Sequence, residues 1–336
     1  MPLPVYLDPN FLYWLTHITG TAGDDTLYGS VYGDTINALG GNDVIYANGG
    51  NDVVDGGTGD DYIDGGQGND QLQGGDGDDY LDGMTGNDLL LGGQGHDSLH
   101  GGDGYDRAFG GDGNDFVDGG DQNDELYGEA GNDNLWGGSG DDVVDGGQGH
   151  DNLEGLWGND ILHGGAGNDT LDDAQNEDGS YGADWYYGGD GDDSLIVADM
   201  ADALTNHIND GGTGFDRLEI VAVGQTIAGI GLLAANTVNI EAIGLAYSGD
   251  TTLVVNPRDV LDFSADDTLF VTGGQDAVFW PITSQVTSDH SDGNFWTATG
   301  TAYAHGMTFA SYQSVVDGQL VQLYVDTWLP QTGLTA

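Results

Sequence analysis

Hydrophobic and polar positions repeat with a period of nine from Gly20 to Asp172. This stretch holds seventeen consecutive nonapeptides in one register, such as GGTGDDYID at 56–64 and GGAGNDTLD at 164–172. The eighth position is a large aliphatic residue in sixteen copies, among them Leu27, Ile63, Leu81, Val144 and Leu171, with Ala108 as the small substitute. The first position is glycine except at Ala38 and Ala47, and the fourth is glycine except at Tyr32 and Gln122. The sixth is aspartate in every copy: Asp25, Asp34, Asp43, Asp52, Asp61, Asp70, Asp79, Asp88, Asp97, Asp106, Asp115, Asp124, Asp133, Asp142, Asp151, Asp160 and Asp169.

One aliphatic residue in nine, always at the eighth position, predicts a three-residue strand over positions seven to nine with its middle side chain inward. The preceding six residues form a turn, where glycine supplies backbone angles closed to other residues. Two units make a coil of eighteen residues. Coils stacked at about 4.8 Å pair each strand in parallel with the strand eighteen residues on. The prediction is an all-β solenoid of two short parallel sheets, about 40 Å long, filled with Leu, Ile and Val.

Stacking places Asp25 beside Asp43, Asp61 and Asp79 on one edge, and Asp34 beside Asp52, Asp70 and Asp88 on the other. Carboxylates about 5 Å apart repel by roughly 1 to 3 kcal/mol per pair. Summed along the stack, this exceeds a domain stability of about 5 to 15 kcal/mol. Aspartate favours turns, but turn preference alone does not demand one residue seventeen times. A cation between coils reverses the sign. Carboxylates and carbonyls freed by glycine are all-oxygen ligands, which suits several Ca²⁺ ions.

The unit G-G-x-G-x-D-x-U-x resembles the hemolysin-type calcium-binding repeat, or RTX repeat, and the likeness runs without a gap over 20–172. It implies a right-handed parallel β-roll with Ca²⁺ between successive turns on each edge. Tyr32 and Gln122 depart from the family pattern in their turns.

Composition adds a condition. There are 58 acidic residues, three basic ones (Arg107, Arg217 and Arg258), no lysine and a net charge of −55. Nucleic acid and anionic membranes are excluded as electrostatic partners. So acidic a chain folds only with cations. Without cysteine there is no disulfide framework. Residues 1–18 lack a basic start and carry Asp8 and Pro9, so they do not read as a secretory signal, and no run reaches transmembrane length. Extracellular calcium modules bind at about 0.1 to 1 mM, so such sites fill outside a cell. The chain is similar in these respects to type I secretion substrates of Gram-negative bacteria, which carry an uncleaved C-terminal signal.

Three regions flank or interrupt the register. Residues 1–19 are mostly apolar and read as a cap on the first coil or as a segment docking on another subunit. After 172 the register breaks at 173–178. It resumes as GSYGADWYY (179–187) and GGDGDDSLI (188–196), breaks at 197–210, where ADMADALTNHI suggests a short helix, and returns as GGTGFDRLE (211–219). Asp184, Asp193 and Asp216 hold the sixth position there. From 220 to 336 the texture becomes β-rich, with strands expected at 251–255, 268–272, 277–280, 307–312 and 320–326 and a short helix at 256–263. NIEAIGL (239–245), TTLVV (251–255), RDVLDF (258–263) and DDTLFV (266–271) resemble the region after RTX repeats in type I-secreted surface proteins. That resemblance implies that WLPQTGLTA belongs to a secretion signal.

No HExxH or GxSxG motif is present. His96 and His150 at the fifth position, and His100 and His163 at the ninth, read as exposed loop or sheet residues. The third position carries no threonine row of the kind that binds ice. Outward apolar files, Val44, Tyr62, Tyr80 and Phe116 on one sheet, and Val53, Leu89, Val143 and Ile161 beside Leu91, Phe109 and Tyr127 on the other, suggest contact with the C-terminal domain or with another molecule. The sequence thus points to a non-enzymatic, secreted calcium-binding protein. Its expected role is a structural one, assembling with its own copies into a filament, surface layer or biofilm matrix. The alternative is a calcium-dependent adhesin recognising a glycan or a cell surface.

Overall fold

The computed structural model describes residues 17–172, 184–197, 208–220, 226–228, 237–240, 242–245, 252–255, 268–273, 285–288, 297–304, 307–316 and 319–326. All regular structure among them is β, and no helix long and apolar enough to cross a membrane is present among the described residues. The chain is a parallel β-solenoid that divides into two compact units, 1–162 and 163–336.

Among the described residues of the first unit, strands pair in parallel with the strand eighteen residues later. Thr26–Tyr28 pairs with Val44–Tyr46, and Arg107–Asp112 pairs with Glu125–Ala130. The ladder also takes in His17–Thr19, where Ile18 lies opposite Ile36. Many strands are longer than three residues. Val53–Thr58 continues through the first three positions of the next copy, and its burial alternates along all six residues. This follows from glycine at the next first position: with no side chain it sits buried one pleat beyond the aliphatic residue. The eighth-position residues Ile36 through Leu162 form the core, each at most 1% exposed. Leu27, in the first coil, is only half-buried.

Backbone hydrogen bonds between coils account for the turns. The first-position N–H donates to the ninth-position carbonyl of the next coil, as from Gly65 to Asp82 (2.8 Å). The fourth-position N–H donates to the third-position carbonyl, as from Gly59 to Asp76 (2.7 Å). The second position needs a left-handed backbone in most copies. Leu39, Asn48, Met84, Glu129 and Leu156 adopt it without being glycine, and so does Gln122 at the fourth position, with φ of 82°. The tight turn therefore persists at Gln122, at a local conformational cost. Tyr32 stands in a turn that does not use that conformation.

In the second unit Thr170–Asp172 pairs in parallel with Ser194–Val197, and Trp185–Asp190 with Ile208–Thr213. Ile208 to Asp210, assigned above to an insertion, are strand residues in repeat register. Val197 is strand as well, and so is Ile208, the last residue of the expected helix; 198–207 lie outside the described residues. Parallel pairing runs on through Arg217–Ile220, Ala242–Leu245, Thr268–Gly273 and Gln319–Asp326. Two antiparallel neighbours, Met307–Val316 and Thr297–Ala304, complete that sheet. Four of the five strands expected after 250 are present; 277–280 and the helix at 256–263 lie outside the described residues.

Candidate metal centres

The last residue before each strand is the aspartate, and the coil geometry turns it inward. Asp43 to Asp169 are at most 3% exposed, as are Asp34, Asp184, Asp193 and Asp216. Asp25, in the first coil, is half-buried. The stacking is direct. The N–H of each aspartate donates to Oδ1 of the aspartate one coil on: Asp61 to Asp79, Asp79 to Asp97 and Asp97 to Asp115, each at 2.8 Å. The other edge does the same, as from Asp88 to Asp106 (2.7 Å) and Asp106 to Asp124 (2.8 Å). In the second unit Asp169 donates to Asp193 (2.9 Å) and Asp193 to Asp216 (2.8 Å). These later aspartates thus share the environment of the regular copies.

One oxygen per carboxylate is left over. Oδ2 of Asp43 and of every ninth residue to Asp142, and of Asp193, is buried and accepts no hydrogen bond. A buried acceptor without a partner costs about 1 to 3 kcal/mol, more when charged. Burial accordingly pushes the carboxyls up, against the lowering effect of the backbone N–H: Asp52, Asp79, Asp88, Asp133 and Asp142 to about 7, and Asp124 to about 8. Neighbouring carboxylates add to the rise at Asp79 and Asp88.

The surroundings of Oδ2 are oxygen-rich and steric space there depends on glycine. A methyl group placed on Gly56 would lie 2.5 Å from Oδ2 of Asp61 and 2.8 Å from the carbonyl oxygen of Gly74 in the next coil. At Gly119 the corresponding distances are 2.6 Å to Asp124 Oδ2 and 2.5 Å to the Gly137 carbonyl. Carboxylate and carbonyl oxygens together are the ligand set of a hard cation. No three His, Cys, Asp or Glu side chains converge as a metal cluster among the described residues. A cation here must therefore take backbone carbonyls as well as carboxylates.

The first two copies place donors on Oδ2, which satisfies Asp25 but leaves Oδ1 of Asp34 buried and bare. Oδ2 of Asp25 accepts from the Thr21 N–H (2.6 Å) and the Thr21 hydroxyl (2.8 Å). Oδ2 of Asp34 accepts from the Ser30 N–H (2.6 Å). Both donors stand at the second position, where later copies mostly carry glycine.

A ladder at the fifth position escaped the sequence reading. Its side chains accept from the backbone N–H one coil on: Asp24 from Asn42 (3.0 Å), Asp78 from His96 (2.8 Å), Asn114 from Asn132 (2.7 Å). His96 is a member, its Nδ1 accepting from Asn114 (2.7 Å). The run of Asn, Asp and His at this position was the available signal. His100 instead lies in an aromatic row along the outer face of one sheet in the first unit. That row is Tyr28, Tyr46, Tyr62, Tyr80, His100, Phe116 and Trp136, with successive ring centroids 4.9 to 5.9 Å apart. His163 stacks on Tyr187 at 4.6 Å.

A family model described as the RTX calcium-binding nonapeptide repeat (four copies) matches residues 17–31, 28–63, 55–90, 91–126, 118–153, 136–171 and 178–196. A comparison with curated proteins found no match.

Proposed function

Because the chain belongs to the RTX calcium-binding nonapeptide-repeat family, we propose that its sixth-position aspartates, Asp25 to Asp169 with Asp184, Asp193 and Asp216, are calcium ligands that make folding conditional on the ion. The observation that carries this reading is the file of buried Oδ2 atoms without hydrogen-bond donors. Carboxylates from consecutive coils would hold the ion together with backbone carbonyls such as those of Gly74 and Gly137. The bound ion would supply positive charge and replace the missing donors. The chain's own groups do the rest: the aspartate N–H fixes Oδ1 of the next coil, the glycines keep the space around Oδ2 open, and the aliphatic core holds the coils in register. Asp25, half-buried and with two donors on its Oδ2, contributes least.

The finer role is that of a secreted structural protein of a Gram-negative bacterium, assembling with its own copies into a filament, surface layer or matrix. Calcium concentration separates the two sides of the cell envelope at the affinities such modules have. Assembly is supported by large apolar side chains left outside the core, such as Val53, Trp136 and Trp157. Negative-stain microscopy of the full chain in millimolar calcium tests this. Fibres or sheets are expected; a monomer that binds immobilised glycans would make the adhesin the better reading.

A further inference from the structure

The aromatic row on the outer face of the first unit is not needed by the calcium sites. Its rings stand at outward positions seven and nine, so the core would be complete without them. Carboxylates accompany the rings: Tyr62 and Tyr80 stack at 5.1 Å with 2° between their planes, and Asp64 and Asp82 lie opposite one another on the same two strands. Phe116 and Asp118 repeat the pairing two coils on. Ring faces attract cations, most strongly guanidinium and ammonium groups, and a carboxylate alongside adds a charge-assisted hydrogen bond.

The opposite sheet shows what this combination holds. There the Arg107 guanidinium carbon lies 5.3 Å from the centre of the Phe109 ring, and Arg107 Nε donates to Glu125 Oε2 at 2.8 Å. Ring and carboxylate on adjacent coils thus hold an arginine in this very scaffold. The aromatic row contains a related case. His100 sits between Tyr80 (5.2 Å) and Phe116 (5.5 Å), with Nδ1 3.6 Å from Asp118 Oδ2.

Among the described residues, no arginine is placed on the rest of the row. The chain has no lysine and three arginines. Arg107 is held by Phe109 and Glu125, Arg217 pairs with Glu219, and Arg258 lies outside the described residues. On this face a second copy would set Asp64, Asp82 and Asp118 against further carboxylates, so self-assembly would use other faces. We infer that the face formed by Tyr62, Asp64, Tyr80, Asp82, Phe116 and Asp118 is a docking site for an extended, arginine-bearing peptide segment of another protein, whose guanidinium groups lie over the rings and pair with the carboxylates. Asp64 and Asp82, opposite one another on adjacent strands, repel, and a guanidinium between them would offset that repulsion.

A chain this acidic attracts any polycation, so the test must change the rings and leave the charge alone. Binding of fluorescent hexa-arginine and hexa-lysine to the calcium-loaded full chain is measured by anisotropy at physiological salt. The comparison variant is Tyr62→Ser/Tyr80→Ser/Phe116→Ser, with its calcium-induced circular dichroism checked against the parent. A control, Asp55→Asn/Asp145→Asn, removes charge from the opposite sheet. The inference requires tighter binding of hexa-arginine than of hexa-lysine, since arginine stacks on rings. It also requires a loss of about tenfold or more in the triple variant and little change in the control. Equal affinity for triple variant and parent would overturn it in favour of diffuse charge attraction. Binding only to neutral oligosaccharides, or ring-dependent self-association without peptide binding, would overturn it as well. Because folding is monitored separately, failure of the calcium reading and failure of this docking site remain distinct.

Discussion

Asp97 and Asp25 occupy the same repeat position and are used differently. Asp97 is buried, donates its N–H to Asp115, accepts from the Asp79 N–H, and keeps a bare Oδ2. Asp25 is half-buried, and Thr21 supplies two donors to its Oδ2. Asp97→Ala should therefore raise the calcium midpoint of folding severalfold, because an interior defect disturbs two coil interfaces, whereas Asp25→Ala should move it little. Titrations followed by circular dichroism decide this, and equal shifts would contradict it. Glycine offers a second contrast. Gly23→Ala meets nothing within 4 Å and should change stability by no more than about 0.5 kcal/mol. Gly119→Ala drives a methyl group between the Gly137 carbonyl and Asp124 Oδ2 and should cost about 2 kcal/mol or more. Denaturant unfolding in saturating calcium measures both. The sequence places Asp25 at the end of its stack, with Asp43 as its one stacked neighbour, but does not show which carboxylate oxygens find donors. The donors at Thr21 and Ser30 are ones that only the turn brings round.

At the scale of the element, a file of aspartates behaves as one titrating unit. In the folded chain Asp61, Asp70, Asp97 and Asp106 are pushed up to about 6, Asp52, Asp79 and Asp88 to about 7, and Asp124 to about 8, chiefly by burial. In the unfolded chain an aspartate titrates near 4. The calcium-free fold therefore binds more protons than the unfolded chain. Its stability is fully present below about pH 4 and is lost as pH rises through about 6 to 8. In chelator the protein should hold more β structure at pH 5 than at pH 8. In calcium the trend opposes this, because protons compete for the ligands, and the calcium midpoint should rise on acidification. A chelated chain with the same spectrum at both pH values would refute the coupling. The period of nine made the file, the strand spacing and the core readable from the eighth and sixth positions alone. It hid the extension of strands into the next copy, because glycine carries no hydropathy signal of its pleat. It hid the fifth-position ladder too, because asparagine and aspartate in a turn already have a local explanation.

For the whole molecule, the account makes folding and calcium binding one event. The solenoid stacks like charges every coil and buries them, and the three arginines cannot neutralise 58 acidic residues. Register with the repeat stays visible as far as Asp216; beyond it, the parallel pairing of Ala242–Leu245 and Thr268–Gly273 was not legible, since these strands lack the glycine and aspartate signals. Far-ultraviolet circular dichroism of the full chain at pH 7.5, first in chelator and then with calcium added back, tests the central claim most directly. The account predicts a largely disordered spectrum in chelator and a cooperative rise of β signal as calcium enters the range of about 0.1 to 1 mM. A full β spectrum in chelator, unchanged by calcium, would contradict it.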